Sequence, residues 1–196
     1  MKKTPYLCSR KGTEVPRCET KNSSYIIKDY LKMKKTVVIY GSTTGTCEAI
    51  AGQIAEKLGG VECINVADMT ADTVAENDNL ILGSSTWGAG ELQDDWYDGV
   101  ETLKGADLSG KTVAIFGCGD AESYGDTFCG AMAEIYNAVK DNATVVGAVA
   151  ADGYTFDDSE AVVDGKFVGL ALDDVNESDK TEERIDAWVN DIKASL

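Results

Sequence analysis

From residue 36 onward, short apolar runs rich in β-branched residues alternate with longer amphipathic stretches, and this alternation constrains the fold more than any other feature. The expected strands are 36–40, 61–66, 79–83, 111–116 and 144–150, and the expected helices are 45–58, a short 71–75, 94–103, 126–140 and 181–194. The last of these carries Ile185, Trp188, Val189 and Ile192 on one apolar stripe. Strands that are apolar throughout need cover on both faces, and strand–helix alternation supplies it. The expected architecture is therefore α/β, a doubly wound five-stranded parallel sheet with helices on both faces. One stretch breaks the pattern: residues 152–178 are polar and rich in Asp and Gly, with a single apolar run at 167–172. It reads as a long insertion that interrupts the last strand, with 167–172 as the returning half. Loops this long are uncommon unless functional, the alternative being a decorated surface loop.

Charge divides the chain in two. Residues 1–32 hold eight Lys/Arg against three Asp/Glu, a net of +5, whereas the remainder holds 10 basic and 31 acidic residues, a net of −21. The shift falls at Met33, just before the first strand. Residues 1–32 contain both prolines and show no sustained period or apolar signal region. They are expected to stand outside the core as a disordered leader, a targeting segment or sequence upstream of a start at Met33. The last is favoured, because a transit peptide avoids acids and Glu14, Glu19 and Asp29 are present. Residues 33–196 are the expected folded domain. Its acidity argues against nucleic acid or an anionic membrane as partner and suits a basic docking face, although it also serves plain solubility. No run of about 18 apolar residues exists to span a bilayer.

The six cysteines form no CxxC pair and the chain has no histidine, so neither zinc-ligand spacing nor a Cys/His catalytic pair is present. Reduced thiols in a cytoplasmic protein are the simplest reading.

Open α/β sheets bind ligands at the carboxyl ends of their strands, where three segments stand out. After strand one, Ser42-Thr43-Thr44-Gly45-Thr46-Cys47 opens a helix. Hydroxyls and unpaired N–H groups at a helix N-terminus make an anion site. The loop has no lysine, so it is not a Walker P-loop; a neutral cradle suits a phosphate monoester. One capping residue is common for structural reasons, but this loop holds four hydroxyls in five positions. After strand three, Ser85-Thr86-Trp87-Gly88-Ala89-Gly90 places a tryptophan among glycines, suited to stacking on a planar ligand. After strand four, Cys118-Gly119-Asp120 leads to a second aromatic, Tyr124.

The segment Ser42–Cys47 resembles the flavodoxin phosphate motif, (T/S)-x-T-G-x-T, with Cys47 standing where the motif ends in threonine. The Trp87 and Tyr124 loops are similar to that family's two flavin-flanking loops. The insertion, the run 167–172 and the following Asp173-Asp174 resemble the long-chain flavodoxins. The resemblance covers residues 33–196. It implies the strand order 2-1-3-4-5 and non-covalently bound FMN. Its phosphate would lie in the 42–47 loop and its ring between Trp87 and Tyr124, with Cys118, Gly119 and Asp120 at the pyrimidine edge and Thr127, Phe128 and Cys129 completing the site. The Cys47 thiol, a weaker donor than a hydroxyl, is expected to weaken the phosphate site only modestly. Gly88 would ease a backbone rearrangement beside the ring. The implied function is that of a low-potential one-electron carrier, not an enzyme. It would be monomeric and would dock transiently on basic-faced redox proteins. Asp94, Asp95, Asp98, Asp120, Glu122 and Asp126 would disfavour the reduced anion, lowering the potential by on the order of 100–200 mV. The alternatives are a flavoenzyme of the same fold, such as a quinone reductase, and, more remotely, a phosphotransfer receiver domain.

Overall fold

Residues 34–196 are described by the structure, a computed structural model; the expected leader, 1–32, lies outside them. The central sheet takes β1 (Thr36–Gly41), β2 (Glu62–Asn65), β3 (Asn79–Ser85), β4 (Thr112–Cys118) and β5 (Thr144–Val146) in the order β2-β1-β3-β4-β5. All of these pairings are parallel, as the connection lengths require. The helices are α1 (Thr46–Lys57), α2 (Ala71–Glu76), α3 (Trp96–Gly105), α4 (Ala131–Val139) and α5 (Ser178–Ile192).

Strand alternation sorts the core into two layers. Val37, Ile39, Leu80, Leu82, Val113 and Ile115 face one layer, with side chains of α2, α3 and α4. Val38, Ile81, Ala114 and Phe116 face the other, with α1 and α5. Period-2 alternation between two buried faces explains why these strands read as continuous apolar runs.

The fifth strand position differs from expectation in a specific way. β5 pairs only with Thr112–Ala114, the lower half of β4. The upper half, Phe116–Cys118, is paired by β9 (Leu170–Leu172). The expected continuous strand 144–150 is broken at Gly147, where φ is 81° and the carbonyl accepts the Trp188 Nε1–H at 2.8 Å. Between the half-strands, β6 (Val149–Ala150), β7 (Val162–Val163) and β8 (Lys166–Phe167) form a small antiparallel sheet in the order β6-β8-β7. The apolar run 167–172 is thus divided: Phe167 belongs to the insertion and only 170–172 return to the main sheet. Gly169 marks the re-entry, because a Cβ there would stand 2.0 Å from the Ile115 carbonyl oxygen.

One helix starts later than its periodicity suggests. The stretch expected as helical from 126 is a turn up to Cys129, whose φ of 53° is left-handed, and α4 begins at Ala131. These turn residues pack against the Trp87 loop, with a Cβ on Gly130 reaching 3.0 Å from Gly90 Cα.

Candidate functional site

The carboxyl ends of β1, β3, β4 and β9 converge on one edge of the sheet, and a cleft of ≈220 Å³ opens there. Each of the three loops singled out in the sequence contributes to it, and a fourth joins them.

The first loop leads into α1. Gly45 takes a left-handed φ of 95°, which turns the chain into the helix. Ser42 Oγ accepts the Gly45 N–H at 3.1 Å, so this hydroxyl closes the loop on itself. The first intrahelical bond is Ala49 N–H to the Gly45 carbonyl at 2.9 Å. The N–H groups of Thr46, Cys47 and Glu48 precede it and have no acceptor within the helix. Thr44 and Thr46 line the cleft, while Ser42, Thr43, Gly45 and Cys47 do not. Cys47 departs most from expectation. Its side chain is fully buried in the layer of Val38 and Ile50. The neighbouring Cys118 thiol and burial together hold the Cys47 thiol well above the usual thiol range. Cys47 therefore offers the loop its backbone N–H, and its thiol packs in the core.

The second loop is a closed turn. Trp87 N–H donates to the Glu91 carbonyl at 2.9 Å, and Glu91 N–H returns to the Trp87 carbonyl at 2.7 Å. Gly88 and Gly90, with φ of 50° and 95°, make that turn possible. Ser85 Oγ accepts the Trp87 indole N–H at 3.0 Å, orienting the ring. Trp87 remains 42% exposed, which is not a core position. Ser85, Thr86, Trp87 and Gly88 line the cleft; Ala89 and Gly90 build the turn behind it.

The third loop follows β4. Cys118, Gly119, Asp120, Tyr124, Thr127, Phe128 and Cys129 all line the cleft. Tyr124 is 57% exposed, whereas Phe128 and Cys129 are buried and form the wall. Burial raises the Cys129 thiol well above its ordinary value, and its Sγ faces the Gly117 carbonyl at 3.6 Å. The Asp120 carboxyl is held below the ordinary carboxylate value, chiefly by the Ser123 N–H and then by the Asn176 amide.

The fourth contributor, Asp174 and Val175 after β9, was not among the expected site residues. Val175 is 69% exposed at the cleft mouth. The signal that could have found it is the same strand-end rule, applied to the returning half-strand. Asp120 and Asp174 line the cleft, and Asp94, Asp95, Asp98, Glu122 and Asp126, close to it in sequence, are exposed. Among the described residues, the ion pairs engage none of these five, nor Asp120.

The donor set can be tested against the FMN that the resemblance implies. Neutral hydroxyls and helix N-terminal N–H groups suit a phosphate monoester, and two exposed aromatics suit a planar ring. Thr86 Oγ1, on the cleft wall, is buried without a hydrogen-bond partner among the described residues. A buried hydroxyl left unpaired costs about 1–3 kcal/mol, so a polar group supplied by a ligand would stabilise this wall. The residues fit the group.

Comparison with known proteins agrees. The family model described as flavodoxin matches residues 38–188. Flavodoxin 1 of Azotobacter vinelandii is 42% identical over 164 residues, covering 80% of this chain and 94% of that protein. The flavodoxin of Helicobacter pylori is 40% identical over 164 residues, covering 84% and 99%. Among solved structures, a Fusobacterium nucleatum flavodoxin bound to flavin mononucleotide superimposes with a TM-score of 0.79 at 31% identity, covering 84% of this chain and 99% of that one. With the family model matching residues 38–188 and relatives at 40–42% identity aligned over nearly their whole length, the chain belongs to the flavodoxin family.

Proposed function

We propose that this chain is an electron carrier that binds FMN non-covalently in the cleft at the carboxyl edge of its sheet. The observation that carries this reading is the convergence of a hydroxyl-bearing helix N-terminus with two exposed aromatics, Trp87 and Tyr124, on one cleft. When bound, FMN supplies chemistry that no side chain here has, the reversible uptake of single electrons.

The chain's own residues do the rest. The Thr44 and Thr46 hydroxyls and the N–H groups opening α1 would hold the phosphate. Ser42 keeps that loop closed. Trp87 and Tyr124 would flank the ring, excluding water from its faces. Asp120 and Asp174, which line the cleft and take part in no described ion pair, disfavour negative charge building up in it. They also suit transient docking on redox partners with basic faces, which salt would weaken. The carrier would act as a monomer in the cytoplasm, a reducing compartment that suits the four free thiols among the described cysteines. No helix among the described residues is long and apolar enough to cross a membrane.

Adding FMN to the apoprotein should quench flavin fluorescence and colour the protein yellow; full fluorescence at stoichiometric protein overturns the proposal. Thr46→Val should weaken FMN about three- to tenfold, the worth of one neutral hydrogen bond. Riboflavin, which lacks the phosphate, should bind this variant as it binds the parent.

A further inference from the structure

The loop that carries Tyr124 is tied, beyond its own internal bonds, to the segment after β9, more than fifty residues away along the chain. Asp173 is 3% exposed. One of its carboxylate oxygens accepts the Ala121 N–H at 3.0 Å, and the other accepts the Asn176 N–H at 3.0 Å. The Asn176 side-chain amide donates to Asp120 Oδ1 at 2.9 Å. The same amide lies 2.9 and 3.1 Å from the two oxygens of Asp173. Asp120 Oδ1 in turn accepts the Ser123 N–H at 2.9 Å and the Glu122 N–H at 3.1 Å. The Asp120 carbonyl accepts the Tyr124 N–H at 3.0 Å. A continuous chain of hydrogen bonds thus runs from the β9–α5 segment to the exposed aromatic.

We infer that Asn176 and Asp173 form a clamp that positions the 119–125 loop so that Tyr124 covers the cleft. This rests on the FMN reading for its functional meaning, though not for its geometry. The residue type at 176 matters. Two carboxylates facing one another repel, and a bridging donor relieves that repulsion. Lysine would do so by cancelling charge, whereas an amide supplies N–H donors and cancels none. The clamp therefore fixes geometry without bringing a positive charge to the cleft. Asp120 is accordingly tied on two sides, by its own loop's N–H groups and by Asn176, and both hold its carboxyl in the ionised form.

The test begins with amide hydrogen exchange on the full chain without FMN. Asn176→Ala should lose protection at Ala121 and Ser123 while amides in β3 keep theirs; unchanged protection at 121 and 123 overturns the clamp. Asn176→Asp is the second variant. It keeps the size but turns the donor into a third acceptor, and it should lose more protection than Asn176→Ala; protection equal to that of the parent overturns the proposal. With FMN, Asn176→Ala should weaken binding about three- to tenfold in the parent and leave binding unchanged in a Tyr124→Ala background. Equal losses in both backgrounds would show that Asn176 does not act through the Tyr124 loop. A parent protein that takes up no FMN would overturn the flavin reading and leave the exchange result to judge the clamp.

Discussion

Two loops of this cleft are built on opposite plans. The phosphate-side loop, 42–48, is held by what lies next to it: its own serine, its own glycine and the helix it opens. The Tyr124 loop is held from a distance, and from two sides. The β9–α5 segment grips it through Asp173 and Asn176. The insertion grips it through Asp157 and Asp158, whose N–H groups donate to the Gly125 carbonyl at 2.8 and 2.9 Å. Buried Ser159 adds a hydrogen bond from its Oγ to the Phe128 carbonyl at 2.6 Å. An aromatic cluster of Phe128, Tyr154, Phe156 and Phe167 seals that junction. The insertion, which read in sequence as either a functional loop or decoration, is a buttress for one wall of the cleft. A helix N-terminus comes ready-made with donors, whereas an exposed aromatic on a loop must have its position imposed.

This contrast can be broken most forcefully at Phe167, which is fully buried between the insertion and Phe128. Phe167→Ala should cost about 3–5 kcal/mol of stability by chemical denaturation, with FMN weakened as well. Destabilisation without any change in FMN binding would mean that the insertion does not support the site. A matched pair of serines sharpens the comparison. Ser159→Ala strands the Phe128 carbonyl and the Ala161 N–H, which Ser159 Oγ accepts at 3.1 Å, and should cost about 1–3 kcal/mol. Ser42→Ala removes one partly exposed bond and should cost about 1 kcal/mol or less, since water can replace it. Equal costs would erase the distinction between the two plans.

The smallest expected effect is on pH. The Asp120 carboxyl is depressed below its ordinary value of 3.8 in the folded loop. A depressed carboxylate contributes stability that is present above the unfolded pKa and lost as pH falls through the folded one. Exchange protection at Ser123 should therefore be flat above about pH 5 and fall below about pH 4, near the ordinary aspartate pKa. Asp120→Asn should abolish that acid limb.

Which parts of this were legible beforehand follows from the same contrast. The phosphate loop and Trp87 announce themselves locally, by hydroxyl density and by an aromatic among glycines, and the structure puts Thr44, Thr46 and Trp87 at the cleft. The two-layer core was legible because period-2 alternation on both faces leaves apolar runs. The buried position of the Cys47 thiol is not legible from motif position, which does not reveal which way a side chain on a helix's first turn faces. Asp173, Asp174, Val175 and Asn176 escaped notice as site residues because their role depends on where β9 re-enters the sheet. That point is set by Gly169 against Ile115 and carries no local periodicity. The start of α4 was placed too early because Cys129 adopts a left-handed backbone that tertiary packing imposes on a non-glycine residue.

The division of the fifth strand position into β5 and β9 bears on how this protein opens. The two half-strands pair consecutive parts of β4 but are joined by the whole insertion. Only β9 reaches the cleft end, where the Leu172 carbonyl accepts the Gly119 N–H at 3.0 Å. Detaching β9 breaks a short ladder and frees the cleft wall while the β5 half of the pairing stays intact. Opening at β9 would run through the ligand site and spare the lower half of the sheet. A cofactor bound to the closed cleft would oppose that opening, so it would slow local proteolysis of 119–130 and 170–177 well before it altered the melting of the lower sheet.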